Sequence, residues 1–109
     1  MDNNWRKIFV KPEVEGRSPQ RLDEHLMGVL PVAVTQHFED GRYSYKPNAE
    51  GLYEVRVLED NDLTASITRG IIRHEGFSLV REEVLNGSKV IEAIDHRPEG
   101  STDFSGRRK

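Results

Sequence analysis

The spacing of the hydrophobic residues switches repeatedly between two periods along this chain, and the order of the switches limits the folds open to it. Alternation with period two marks strands; recurrence at three and four marks helices. The first strand is expected at Arg6 to Lys11, with Ile8 and Val10 on one face and Phe9 on the other. Pro12 ends it, since proline cannot donate to a sheet ladder. After a loop at Gly16-Arg17, Ser18-Pro19 opens a helix: Ser18 can cap the free N–H groups, and Pro19 at the first helical position loses no bond. Leu22, Leu26, Met27, Val29 and Leu30 follow at helical spacing. Asp23 and Glu24 lie near the positive end of the helix dipole, and Pro31 stops the helix.

Val32 to Tyr45 reads as a hairpin around Asp40-Gly41, a two-residue turn signal. That turn sets Phe38 opposite Tyr43 and Gln36 opposite Tyr45. Lys46 to Gly51 is a loop. Leu52 to Leu58 is the clearest strand, with Tyr53, Val55 and Val57 on one face and Glu54 and Arg56 on the other. Glu59-Asp60-Asn61-Asp62 opens a second helix capped by Asn61 or Asp60, with Leu63, Ile67 and Ile71 as its buried stripe and Ile72 beside it. Gly76 suits the left-handed position past a helix end. Phe77 to Leu85 and Lys89 to Arg97 form a second hairpin, closed by Asn86-Gly87 as a type I′ turn. The register that follows sets Leu79 opposite Ile94, Phe77 opposite His96 and Arg81 opposite Glu92.

The element order is β-α-β-β-β-α-β-β. With the hairpin extensions set aside, the core is βαββαβ, the split βαβ or ferredoxin-like arrangement, in which two helices cover one face of a mainly antiparallel sheet. The expected class is therefore α+β. Residues 1–97 read as a single domain. Residues 98–109 show no periodicity and read as a flexible tail.

Composition narrows the chemistry. The chain has 109 residues and no cysteine, so it must fold on an ordinary hydrophobic core, without disulfides or thiolate-bound metals. No apolar segment follows the basic residues near the N-terminus, and no stretch approaches the roughly 20 apolar residues of a membrane span. The expectation is a cytoplasmic protein with no membrane partner. The formal net charge of −3 argues against generic nucleic-acid binding but leaves room for a local basic patch. Phosphate-binding glycine loops, the GxSxG elbow and HExxH are absent.

The four histidines, His25, His37, His74 and His96, show no i,i+4 pairing. His74-Glu75, Asp95-His96, and His37 near Glu39-Asp40 read either as acid–base pairs or as polar residues at element ends. Glu59-Asp60-Asn61-Asp62 could bind a hard cation, but helix capping explains every one of its residues. No cofactor, metal or catalytic residue is assigned. Two surfaces are candidates for partner binding. Phe38, Tyr43 and Tyr45, flanked by Arg42 and Lys46, could stack bases and hold phosphates, or pack as sheet core or dimer contact. Phe104 with Arg107, Arg108 and Lys109 could form a short linear motif or an untethered end.

Tyr53 to Asp95 runs strand, acidic turn, helix, glycine, strand, glycine turn, strand. Val57-Leu58-Glu59-Asp60 followed by Leu63, Ile67, Ile71 and Gly76-Phe77 resembles the first half of ACT-type regulatory domains. That resemblance implies a ferredoxin-like module binding a small ligand, often an amino acid, at a dimer interface. It covers under half of the chain. Asn61-Asp62 stands where such domains carry glycine, and no helix follows the second hairpin, so no ligand residue is carried over.

The expected function is a small non-catalytic protein–protein interaction or regulatory module, working as a homo-oligomer or as an accessory to another protein. The alternatives are an ACT-like ligand-binding domain, a nucleic-acid binder using Arg42, Tyr43, Tyr45 and Lys46, and a small enzyme with a histidine and a carboxylate.

Overall fold

The computed structural model describes residues 4–30, 33–34, 37–39 and 42–96, with 33–34, 37–39 and 42–44 described through their strand pairing alone. The elements in chain order are β1 (Asn4–Pro12), α1 (Gln20–Val29), β2 (Ala33–Val34), β3 (His37–Glu39), β4 (Arg42–Ser44), β5 (Tyr53–Val57), α2 (Asp62–His74), β6 (Phe77–Asn86) and β7 (Lys89–Asp95). The class is α+β, as expected. Five strands form a sheet in the order β2-β5-β1-β6-β7, and β3 and β4 pair as a separate ribbon. Every pairing is antiparallel. β1 sits centrally, with Ile8 opposite Val55 on one side and Glu82 on the other.

The alternation read in β1 and β5 decides which face is buried. Ile8, Val10, Val55, Val57 and Phe77 meet Leu22 and Leu26 of α1 and Ile71 and Ile72 of α2 in one cluster. Each such side chain contributes about 1.5–3 kcal/mol when fully buried. Both helices therefore cover the same sheet face. Phe9 points to the opposite face and is nonetheless only 4% exposed. Its ring is covered by the Arg81 guanidinium, 4.1 Å from the centroid, and by Lys7 at 5.8 Å. Long cationic side chains do there what a second helical layer would do.

Several expectations change. α1 begins at Gln20, one residue later than read, with the Gln20 N–H donating to Ser18 Oγ at 3.2 Å. Met27 and Val29 are more than half exposed. In α2, Asn61 is the cap and forms a capping box with Thr64, but Leu63 is 68% exposed. The buried face instead runs Thr64, Ala65, Thr68, Ile71 and Ile72. Small residues on that stripe let the helix lie close to the sheet, and they turn Leu63 outward.

The β6–β7 register also differs. The turn falls at Gly87-Ser88, between Asn86 and Lys89, and a bulge follows between Val84 and Leu85. Arg81 consequently faces Asp95, not Glu92, and Ile94 faces Glu82, not Leu79. In the β3–β4 ribbon Phe38 does pair with Tyr43; Gln36 and the Asp40-Gly41 turn lie outside the described residues. So do Arg97 and the segment 98–109.

Candidate functional site

β6 carries a second irregularity, and it produces the main polar feature of the molecule. Phe9 pairs with Arg81 while Val10 pairs with Leu79, so Val80 is an extra residue in the ladder. The bulge resets the alternation. Leu79 and Glu82 both end on the helix-covered face, and the Glu82 side chain is fully buried.

Burial of a carboxylate requires compensation. Arg69 of α2 supplies a fork: Nε donates to Oε2 at 2.7 Å and Nη2 to Oε1 at 3.0 Å. Arg6 of β1 donates from Nη1 to Oε1 and from Nε to Asp60 Oδ1 at 2.6 Å. His96, just past β7, sits with Nε2 2.6 Å from Oε2, and its backbone N–H donates to Val80 O at 2.8 Å. Desolvation pushes the Glu82 pKa up, but the hydrogen bonds from Arg69, His96 and Arg6 outweigh it and bring the group down to about 2. An ionised Glu82 accepts only, so His96 presents an N–H at Nε2. Two arginines and two carboxylates balance. The network ties β1, α2, β6, the turn before α2 and the end of β7 into one unit.

That unit holds β7 at the sheet's outer edge. Lys89 to Ala93 are all exposed, with Val90 at 47% and Ile91 at 49%. Among the described residues no strand lies on the far side of β7. No described strand pairs with its outward backbone N–H and C=O groups, while Lys89, Glu92 and Asp95 limit indiscriminate association.

Of the histidine–acid neighbours noted in the sequence, those at His74 and His96 resolve differently, while the His37 side chain lies outside the described residues. Glu75 is bonded by His25, with Nδ1 2.7 Å from Oε2, while His74 meets the His25 ring edge-on at 5.7 Å. His96 turns to Glu82, not to Asp95. Tyr45 donates to the buried Asp23 of α1 at 3.0 Å, and Lys46 is exposed. The structure brings Phe38, Arg42 and Tyr43 together as a ribbon. Phe104, Arg107 and Arg108 lie outside the described residues. Sequence reading missed Glu82, Arg6 and Arg69. The bulge turns Glu82 inward, Arg6 shares the face of Ile8 and Val10 by simple alternation, and Arg69 reaches in from α2.

No described group of three or more histidine and acidic side chains could hold a metal ion, Asp60 and Asp62 included. No described helix is long and apolar enough to cross a membrane. Compared with protein-family models, curated proteins and solved structures, the chain matches none.

Proposed function

We propose that this chain is a small interaction module of ferredoxin-like build whose β7 edge accepts a strand from a second copy or from another protein. The observation that carries this reading is a seven-residue outer strand with Val90 and Ile91 half exposed, clamped from behind by the Glu82 network. Strand addition draws affinity from main-chain bonds and specificity from alternate side chains. With β3, β4 and β7 set aside, the order β1-α1-β2-β5-α2-β6 and the sheet order β2-β5-β1-β6 support the ferredoxin-like description. Phe38, Arg42, Tyr43, Tyr45 and Lys46, and beyond the domain Phe104, Arg107 and Arg108, are proposed as auxiliary contacts.

The test is molar mass by light scattering across a concentration series, with amide exchange read at β7. A dimer, or a complex with a co-purified protein, should form with slowed exchange along Lys89 to Asp95. Val90→Lys combined with Ile91→Lys should weaken it at least about tenfold while leaving the melting temperature of the monomer unchanged. An assembly unaffected by that pair, or a monomer whose β7 amides exchange freely in every preparation, would sink the reading.

A further inference from the structure

A cavity of about 360 Å³ opens where the first turn of α1 meets the end of α2 and the start of β6, and it shares no lining residue with β7 or the Glu82 network. Arg17, Ser18, Arg21 and His74 line it. The cations are not there by default. A helix N-terminus is electropositive, so a cation in the first turn of α1 is disfavoured. Arg21 occupies that turn and makes no hydrogen bond or ion pair among the described residues.

Arg17 is held in place. Its Nη1 donates to Glu75 O at 3.2 Å, and its guanidinium lies where a side chain on Gly76 would be: a Cβ there would sit 1.9 Å from Nη1. One donor is spent on the end of α2, and the others remain for a ligand. Ser18 Oγ already accepts the Gln20 N–H, which leaves its hydroxyl proton to donate. The one acidic residue on the wall, Glu75, has its carboxylate on His25. Capping of α2 accounts for Arg17 and His74; it does not account for Arg21.

We infer that this cavity binds a phosphate-type oxyanion through Arg17, Arg21 and Ser18. Two guanidinium groups and a hydroxyl match the donor set such an anion needs. The volume falls in the range of small-ligand sites and exceeds what one phosphate fills, which favours a phosphomonoester on a small metabolite over the free ion. This site is independent of strand addition at β7.

Isothermal titration of the full chain with inorganic phosphate and with glycerol 3-phosphate tests it, using wild type, Arg21→Ala, Ser18→Ala and, as a cation outside the cavity, Lys11→Ala. Saturable one-to-one binding is expected. Arg21→Ala should weaken it about tenfold with an unchanged circular dichroism spectrum, and Lys11→Ala by no more than about twofold. Tighter binding of glycerol 3-phosphate identifies a monoester site; equal binding identifies a free-phosphate site. The inference fails if neither anion saturates, or if Arg21→Ala and Lys11→Ala weaken binding equally, since that is unspecific charge attraction.

Discussion

Glu82 is a charge placed where a chain normally puts a hydrocarbon, and its worth depends on pH with a definite sign. Its folded pKa of about 2 lies below the ordinary 4.5. The unfolded chain therefore takes up the proton first as pH falls. The contribution is complete above about 4.5 and is lost between there and about 2, a change of roughly 3 kcal/mol. Urea midpoints across that window should fall accordingly in wild type. Glu82→Gln should cost about 3–5 kcal/mol at neutral pH, because Arg6 and Arg69 lose their shared partner, and should flatten that acid limb. Parallel acid profiles for the two proteins would contradict this role. Gly76 is a residue whose role was readable beforehand. Its φ of +83° is the left-handed geometry expected after a helix, although the guanidinium of Arg17 against it was not foreseeable. Gly76→Ala should therefore cost more than the usual 1 kcal/mol or so of a left-handed site, and a thermal melt of Gly76→Ala beside Arg17→Ala separates the two causes. Nothing local marks Glu82 as buried, because its burial follows from one extra residue two positions earlier.

Among the elements, α2 shows both what pattern reading reaches and where it stops. Asn61 was readable as a cap because short polar side chains satisfy the first free N–H groups; here Thr64 N–H donates to Asn61 Oδ1 at 2.9 Å. The expected stripe holds at Ile71 and Ile72, with Ile67 partly buried against the core, and fails at Leu63, whose place on the buried face is taken by Thr64 and Thr68. Chemical denaturation should rank three variants accordingly. Ile72→Ala should cost about 2–5 kcal/mol, Asn61→Ala about 1, and Leu63→Gln less than about 0.5. A large loss at Leu63 would mean that the exposed face of α2 is covered in solution. β1 and β5 were read correctly because strict alternation fixes a face with no help from tertiary structure. The β6–β7 hairpin was not: Asn86-Gly87 and Gly87-Ser88 are both acceptable turns, and the bulge at Val84/Leu85 leaves no mark in composition.

At the scale of the whole molecule, protection should decline outward from β1. Native-state amide exchange should find β1 slower than the edge strands, since it is bonded on both sides, with β2 and β7 the fastest in the monomer. Equal protection of β1 and β7 at low concentration would contradict the sheet order. The class and the two-helix layer were legible because they follow from periodicity; the position of β7 and the Glu82 network were not, because both depend on registers set by bulges. The placement of β1 also bears on how the chain is made. The strand synthesised before the others is the one that ends in the middle, and one of its two neighbours, β6, is not finished until Asn86. A ribosome adding roughly 5–20 residues per second exposes Ile8 and Val10 for several seconds before that neighbour can emerge. Completion of this sheet is thus deferred until β6 has been made, and in that interval β1 is a segment a nascent-chain chaperone would meet.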